Sequence, residues 1–318
     1  MSDVAIIIVT WNCREFAIQC LRSLTAEPSA HRFHIVVVDN NSGDGVVDVI
    51  RSEFPDVDVR ANMENVGFAA ANNQAIRSTE SSHVLLLNPD TSARPSAVDA
   101  LADFLDADAS VWAAGPTIVN ADGTLQRSGV RFPGNWNLLW ETLFLDRLLP
   151  HSRLFGSHTE RYRDPAVSRP VDYVQGSCLM VRRDGIRQVG LLDEGFFMYF
   201  EETDWCFRMK QAGGEVCYVP TDPVIHFGGG EFGHYDERRL VHYHESLLRF
   251  YGKHYGFLRE LAARAILLVR SLIRTFVWGI VWLVSSGRRA TALSSVRGYL
   301  RVMGTVLSHR GRGETPRL

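Results

Sequence analysis

The chain has 318 residues, of which 46% are hydrophobic and 22% charged. This composition supports a large packed core and excludes a disordered or collagen-like protein. The net charge of −2 hides an asymmetry: residues 256–318 carry eleven arginines against two acidic residues, net +9, which leaves −11 on residues 1–255.

The five cysteines, at 13, 20, 178, 206 and 217, contain no CxxC pair. Neither a disulfide framework nor a zinc site is indicated, and reduced, cytosolic thiols are expected. No basic region followed by a long apolar run opens the sequence, so no secretory signal is expected.

Val4-Ala5-Ile6-Ile7-Ile8-Val9 is an unbroken β-rich run, the sign of a strand covered on both faces. A helical spacing of apolar residues follows over 14–24, then a second buried strand over 34–38. A helix over 46–54, a short strand at 57–60, a turn at Asn65-Val66-Gly67-Phe68, a small-residue helix over 69–78 and a fourth strand at 84–87 complete the first ninety residues. Strands alternating with helices predict an α/β fold, a mostly parallel open sheet flanked by helices. Further on, the pattern predicts a helix over 96–106, a strand at 111–114, a hairpin turn at Asn120-Ala121-Asp122-Gly123 and a strand at 178–181. Residues 133–168 read as a long loop or short helices bordering a site. A helix is expected over 201–212 and a short strand over 216–219.

Ligands of open α/β sheets gather beyond the carboxyl ends of the strands. Three predicted strands end there in groups suited to a nucleotide: Thr10 and Asn12, then Asp39, then Asn88 and Asp90. No G-x-G-x-x-G follows the first strand and no G-x-x-x-x-G-K-[ST] occurs, which argues against the dinucleotide and P-loop classes. Asp39-Asn40-Asn41-Ser42-Gly43 and Asn88-Pro89-Asp90 are also good turns in their own right. A second chemical centre is Glu201-Glu202-Thr203-Asp204, behind the aromatic run Phe196-Phe197-Met198-Tyr199-Phe200. Clustered carboxylates against aromatic walls raise a pKa, as a general base near neutrality needs. They also suit the first turn of a helix, with Asp204 pairing Arg208 at i,i+4. His226 is a structural histidine or a metal ligand. The segment Phe227-Gly228-Gly229-Gly230 after it is expected to be flexible enough to close over a ligand.

Taken together, Ile8-Val9-Thr10-Trp11-Asn12, Val38-Asp39-Asn40-Asn41-Ser42, Asn65-Val66-Gly67-Phe68 with Asn72-Asn73, Leu87-Asn88-Pro89-Asp90, Gly176-Ser177 with Met180, Phe197 to Asp204, and His226 carry a specific pattern. In these residues the chain resembles family 2 glycosyltransferases of the GT-A fold, within the bacterial rhamnosyltransferase-like group, over about residues 4–255. The resemblance implies that Thr10, Asn12 and Asp39 bind the base and ribose of a nucleotide-diphosphate sugar donor. It implies that Asn65 and Gly67 border that pocket, and that Asn88 and Asp90 stand at the family's Asp-x-Asp motif. Asp90 and His226 would then hold a divalent cation, Mg2+ or Mn2+. Glu202 falls at the usual base, with Glu201 and Asp204 as alternatives. The sequence departs from the family at two of these points, carrying Asn88 and Glu202 where aspartates are common. The implied reaction is an inverting transfer, with L-rhamnose from dTDP-rhamnose as the best guess, to a glycan or polyprenyl-diphosphate-linked acceptor in cell-wall or surface polysaccharide synthesis. Gln126, Ser128, Gln175 and Trp205 are the acceptor-side candidates. The rivals are another nucleotide-sugar enzyme and an inactive binding relative.

Residues 1–255 are read as the transferase domain and 256–318 as a basic, apolar helical region. Over 256–286 apolar runs alternate with arginines, then residues 275–286 carry Trp278, Trp282 and no charge. Twelve uncharged residues are too few to span a bilayer, so helices lying in the membrane interface are expected, with Arg288, Arg289, Arg297 and Arg301 toward anionic lipid. The expectation is cytoplasmic, peripheral attachment at the inner face of the plasma membrane. The alternative is a helical extension packed on the body or at a homodimer contact. No nucleic-acid-binding motif accompanies the charge.

Overall fold

The architecture is that of a computed structural model, which describes residues 1–228 and 237–308. Gly229 and Gly230 of the expected flexible segment lie outside the described residues. The chain divides into two compact units. The first comprises residues 1–132, 163–194 and 201–231, the second 133–162, 195–200 and 232–318. The expected boundary at 255/256 coincides with a turn between two helices of the second unit.

In chain order the elements of the first unit begin with β1 (Asp3–Thr10), α1 (Arg14–Leu24), β2 (Arg32–Asp39), α2 (Val46–Glu53), β3 (Asp58–Ala61), α3 (Phe68–Arg77) and β4 (His83–Leu87). Then come β5 (Thr91–Ser92), α4 (Pro95–Ala107), β6 (Val111–Gly115), β7 (Ile118–Val119), β8 (Leu125–Gln126) and β9 (Gly129–Val130). The short helices α5 (Asn135–Thr142) and α6 (Leu145–Leu148) belong to the second unit. The first unit resumes with β10 (Arg169–Pro170), β11 (Tyr173–Val174), β12 (Cys178–Arg182), α7 (Arg183–Val189), α8 (Glu201–Gln211), β13 (Glu215–Tyr218) and β14 (Val224–His226).

Eight strands form one sheet in the order β10-β13-β6-β12-β4-β1-β2-β3. It is mostly parallel: β12 runs against both β4 and β6, and β10 against β13, while the other pairings are parallel. The unbroken apolar runs follow from burial on both faces. Ile6, Ile8, Leu85 and Leu87 pack on one side with α1 and α4, whereas Ile7, Val9, Val84 and Leu86 pack on the other with α3 and α8. The alanines of α3 let it lie close to the sheet, and Ala69, Ala71 and Ala75 are fully buried.

A second sheet, β5-β14-β7-β8, is built from strands of two or three residues, too short for any periodicity to announce. It matters because β5 follows Asp90, β14 ends at His226 and β8 ends at Gln126. A two-stranded pairing of β11 with β9 sets the loop that enters β12.

The second unit continues with α9 (Glu237–His254), α10 (Phe257–Val284), a 3-10 turn at Ser286–Arg288 and α11 (Arg289–Ser308). The apolar and basic runs form one helix of 28 residues, about 42 Å long at 1.5 Å per residue. By length and composition it is long and apolar enough to cross a membrane. Of its four arginines, Arg259 is exposed and the other three are engaged within the second unit. Arg264 pairs with Glu260 at 2.5 Å, Arg270 with Glu141 at 3.0 Å, and the Arg274 guanidinium lies 3.7 Å from the centre of the Phe144 ring. Arg301 likewise is paired, with Glu237. Arg288, Arg289 and Arg297 are exposed.

Candidate active site

The carboxyl ends of β1 and β2 are in register, Thr10 opposite Asp39, and the loops beyond them are stitched together. Asn12 adopts a left-handed conformation (φ 49°), which asparagine tolerates better than most residues. Its N–H donates to Ser42 Oγ (2.8 Å) and its Oδ1 accepts the Gly43 N–H (2.8 Å). The Ser42 N–H in turn donates to Asp39 Oδ2 (3.0 Å). Asp39 Oδ1 is buried with no protein partner, a position that costs about 1–3 kcal/mol unless a ligand donor meets it. Thr10 is fully buried with its hydroxyl 3.2 Å from Cys13 Sγ, so it supports this loop from beneath. Asn65 accepts the Gly67 N–H (3.0 Å), and Gly67, at φ 86°, opens α3. Asn40 joins this turn to the β2 loop by donating to the Gly67 carbonyl (3.3 Å).

Asn88-Pro89-Asp90 follows β4 as expected. The Asn88 N–H donates to the Ser177 carbonyl (3.0 Å), and its own carbonyl accepts the Thr91 hydroxyl (2.7 Å). The pairing of β5 with β14 sets His226 opposite Thr91, and the Phe227 N–H donates to the Asp90 carbonyl (2.9 Å). This register brings His226 Nε2 to 3.4 Å from Asp90 Oδ1. One carboxylate oxygen and one imidazole nitrogen are donor types that a divalent cation accepts. Among the described residues no group of three His, Cys, Asp or Glu side chains comes together. The residues fit a cation completed by a bound diphosphate, and Asn88 adds no charge.

The loop between β11 and β12 joins this corner to the acidic cluster. Its Ser177 carbonyl holds Asn88, and its Gly176 backbone lies against the Glu202 side chain. Glu202 opens α8 and is half-buried, with one oxygen buried and unpartnered. Burial pushes its carboxyl up from the usual range, against the pull of the backbone N–H groups of Glu202, Thr203 and Gly176. Glu201 is more deeply buried and is raised well above the ordinary value, first by burial and then by the charge of Glu202. Two consecutive left-handed residues, Tyr199 (φ 68°) and Phe200 (φ 66°), precede the helix. Such strain costs of order 1–3 kcal/mol per residue and collects at functional sites.

The other candidates fall elsewhere. Asp204 is fully buried and bonded to Arg208 (2.8 Å), whose guanidinium also donates to the carbonyls of Val189 and Leu191. It ties α7 to α8 and is not open to an acceptor hydroxyl. Trp205 is fully buried with its indole N–H on the Gly190 carbonyl (2.8 Å), and Ser128 is buried with its hydroxyl on the Pro116 carbonyl (2.8 Å). Neither faces an acceptor. Gln126 has both ends of its amide engaged with His226. Gln175 is half-buried beside Gly176. Sequence reasoning assigned no role to Asn73, which donates to the Leu192 carbonyl and the Glu194 carboxylate and accepts the Leu192 N–H. Its signal was an asparagine pair inside an alanine-rich helix, where a buried amide needs partners.

Fold and site together define a GT-A transferase, in which the crevice beyond the strand ends meets a carboxylate at a helix start. The chain belongs to glycosyl transferase family 2, whose family signature matches residues 5–190. It is 28% identical over 300 residues to the N-acetylglucosaminyl-diphospho-decaprenol L-rhamnosyltransferase of Mycobacterium tuberculosis, covering 86% of this chain and 95% of that one. A mannosyltransferase from Pyrobaculum calidifontis, solved in complex with GDP-Man and Mn2+, superimposes with a TM-score of 0.57 at 15% identity, over 96% of this chain and 87% of that one. GalNAc-T7, solved with UDP, GalNAc and Mn2+, gives 0.56 at 16% identity, over 82% of this chain and 53% of that one.

Proposed function

We propose that this chain is an inverting, cation-dependent rhamnosyltransferase that moves L-rhamnose from dTDP-rhamnose to a polyprenyl-diphosphate-linked glycan. The observation that carries the reading is the approach of His226 to Asp90 at the strand ends, with Glu202 packed on the loop at 175–177 whose Ser177 carbonyl holds Asn88. The name of the mycobacterial relative supports the sugar and the acceptor class.

Asp39 and Asn12 line the base and ribose end of the donor site. Asp90 and His226 hold a divalent cation, which when bound supplies positive charge to the leaving nucleoside diphosphate. Glu202 takes the proton of an acceptor hydroxyl. The acceptor oxygen forms its bond to the anomeric carbon as the bond to the diphosphate oxygen breaks on the opposite face. A single displacement converts a β-L-rhamnosyl nucleotide into an α-L-rhamnoside. Supplying dTDP-rhamnose and an N-acetylglucosaminyl-diphospho-polyprenol and reading the product anomer by NMR tests this. An α-linked product is expected, and a β-linked product overturns inversion.

The second unit is read as a peripheral membrane attachment on the cytoplasmic face, in keeping with five free thiols. Leu258, Leu261, Val269, Leu272, Phe276, Ile280 and Leu283 are all exposed at spacings of three, four, seven or eight residues, so one uncharged stripe runs along α10. With Arg264 and Arg270 ion-paired and Arg274 over the Phe144 ring, lipid is the occupant that this stripe fits, and the exposed Arg288, Arg289 and Arg297 suit anionic head groups.

A further inference from the structure

The turn at Asn120-Ala121-Asp122-Gly123 stands in no expected role, yet it is the start of a hydrogen-bond chain that ends at His226. Thr124 donates both its N–H (2.9 Å) and its hydroxyl (2.6 Å) to Asp122 Oδ1. Asn120 Nδ2 donates to Thr124 Oγ1 (2.8 Å). Gln126 Nε2 donates to Asn120 Oδ1 (2.5 Å) and to the His226 carbonyl (2.9 Å). Gln126 Oε1 lies 3.0 Å from His226 Nδ1.

Every link has one direction. The Asp122 carboxyl, held below the usual range by the Thr124 hydroxyl and N–H, only accepts. The Thr124 hydroxyl proton is therefore spent on it, and its oxygen must accept from the Asn120 amide nitrogen. Asn120 then turns its carbonyl oxygen to Gln126, which must answer with its own amide nitrogen. The second acceptor on that nitrogen, the His226 carbonyl, fixes the same orientation. Gln126 thus faces His226 with its carbonyl oxygen, and Nδ1 must carry the proton. In the neutral ring the lone pair then sits on Nε2, aimed at Asp90 Oδ1 across 3.4 Å. Two acceptors facing one space favour a cation between them.

We propose that Gln126 is a positioning residue that fixes His226 in its Nδ1–H tautomer and so presents the Nε2 lone pair to the cation site shared with Asp90. This rests on the reading of Asp90 and His226 as that site, and it reassigns Gln126 from the acceptor side. Without Gln126 the ring reverts to the Nε2–H form, donates to Asp90 and must exchange tautomers before it can bind a cation.

The test uses the full chain labelled with 15N-histidine, without metal, above the pH at which the ring is charged. The His226 ring signals are assigned by their loss in His226→Ala. The wild-type chain is expected to show a protonated Nδ1 and an unprotonated Nε2. Gln126→Met is expected to exchange the two, while Gln126→Glu, which keeps the acceptor oxygen, retains the wild-type pattern. In parallel, Mn2+ affinity in the presence of dTDP is expected to fall about 10- to 100-fold in Gln126→Met, the usual cost of losing such an orienting partner. Thr124→Val, one link further out on the exposed turn, is expected to give a mixed tautomer population and serves if Gln126→Met does not fold. Unchanged ring signals and Mn2+ affinity in Gln126→Met, with a raised KM for the acceptor, overturn the proposal. Unchanged Mn2+ affinity in His226→Ala instead overturns the cation-site reading, whatever the tautomer shows.

Discussion

The Gly176 backbone lies against the side chain of Glu202: a side chain on Gly176 would begin 3.5 Å from Glu202 Cγ. One oxygen of Glu202 is buried there without a protein partner. Glu202→Gln is expected to lower transfer by about 10²- to 10⁴-fold while donor binding is kept, the range for loss of a general base. Transfer rates and calorimetric binding of the nucleotide sugar check this. Full activity in Glu202→Gln moves the base elsewhere.

The same carboxyl sets a pH dependence. Burial raises Glu202 above the usual range, and a base works only when deprotonated. The acid limb of kcat is therefore expected at higher pH than for an exposed glutamate, which titrates near about 4.3. A pH–rate profile with saturating donor and acceptor reads it directly, and an acid limb at or below the ordinary value contradicts the assignment.

Glu201 carries the cost of burial without a partner on one oxygen. Its folded-state value lies above its unfolded one, so the folded state is favoured only while the group is protonated. That stability is present below the ordinary glutamate range and is lost as pH rises through the raised value. Glu201→Gln is therefore expected to raise Tm at pH 7–8 and to leave it unchanged near pH 4. Thermal unfolding across that range gives the result, at about 2–4 °C for each kcal/mol in a chain of this order of size.

Asp204 behaves differently from its neighbours because it is paired. Asp204→Ala strands the Arg208 guanidinium among the carbonyls of Val189 and Leu191 and is expected to cost about 3–5 kcal/mol, as for other broken buried pairs. Urea unfolding of Asp204→Ala beside Glu202→Gln separates the two roles, with a large loss in the first and little in the second.

For the membrane reading, a truncation after residue 255 would cut into the second unit, where α10 buries Ala263, Leu267 and Ser271. Serine substitutions of the exposed Leu272, Phe276 and Ile280 are the cleaner probe. They are expected to lower binding to anionic liposomes by at least tenfold without lowering Tm. Unchanged flotation, together with loss of a dimer in solution, would assign the stripe to a second copy instead.

Much of this was legible in the residues. The two-sided strands announced themselves as unbroken runs at Val4 to Val9 and Val84 to Leu87, and the polar groups at their ends marked the crevice. What escaped was built from pairings with no periodicity. β5, β8 and β14 have only two or three residues each, yet their register joins Asp90, Gln126 and His226. The side chains of Trp205 and Ser128 looked available in sequence but are spent on carbonyls 15 and 12 residues away. Of the arginines read as lipid-facing, Arg301 pairs with Glu237 on another helix, which no local spacing announces. Helix α9 was detectable: Leu240, His244, Leu247, Leu248 and Tyr251 recur at helical spacing.

The central claim, a sugar transfer that depends on a cation held by Asp90 and His226, is tested most directly by nucleoside diphosphate release. The full chain is incubated with a panel of nucleotide sugars, with Mg2+ or Mn2+ and with chelator. Release from dTDP-rhamnose that requires the cation, and that falls at least 100-fold in His226→Ala, is the predicted result. Equal release in chelator, or no release and no binding of any donor, would contradict it.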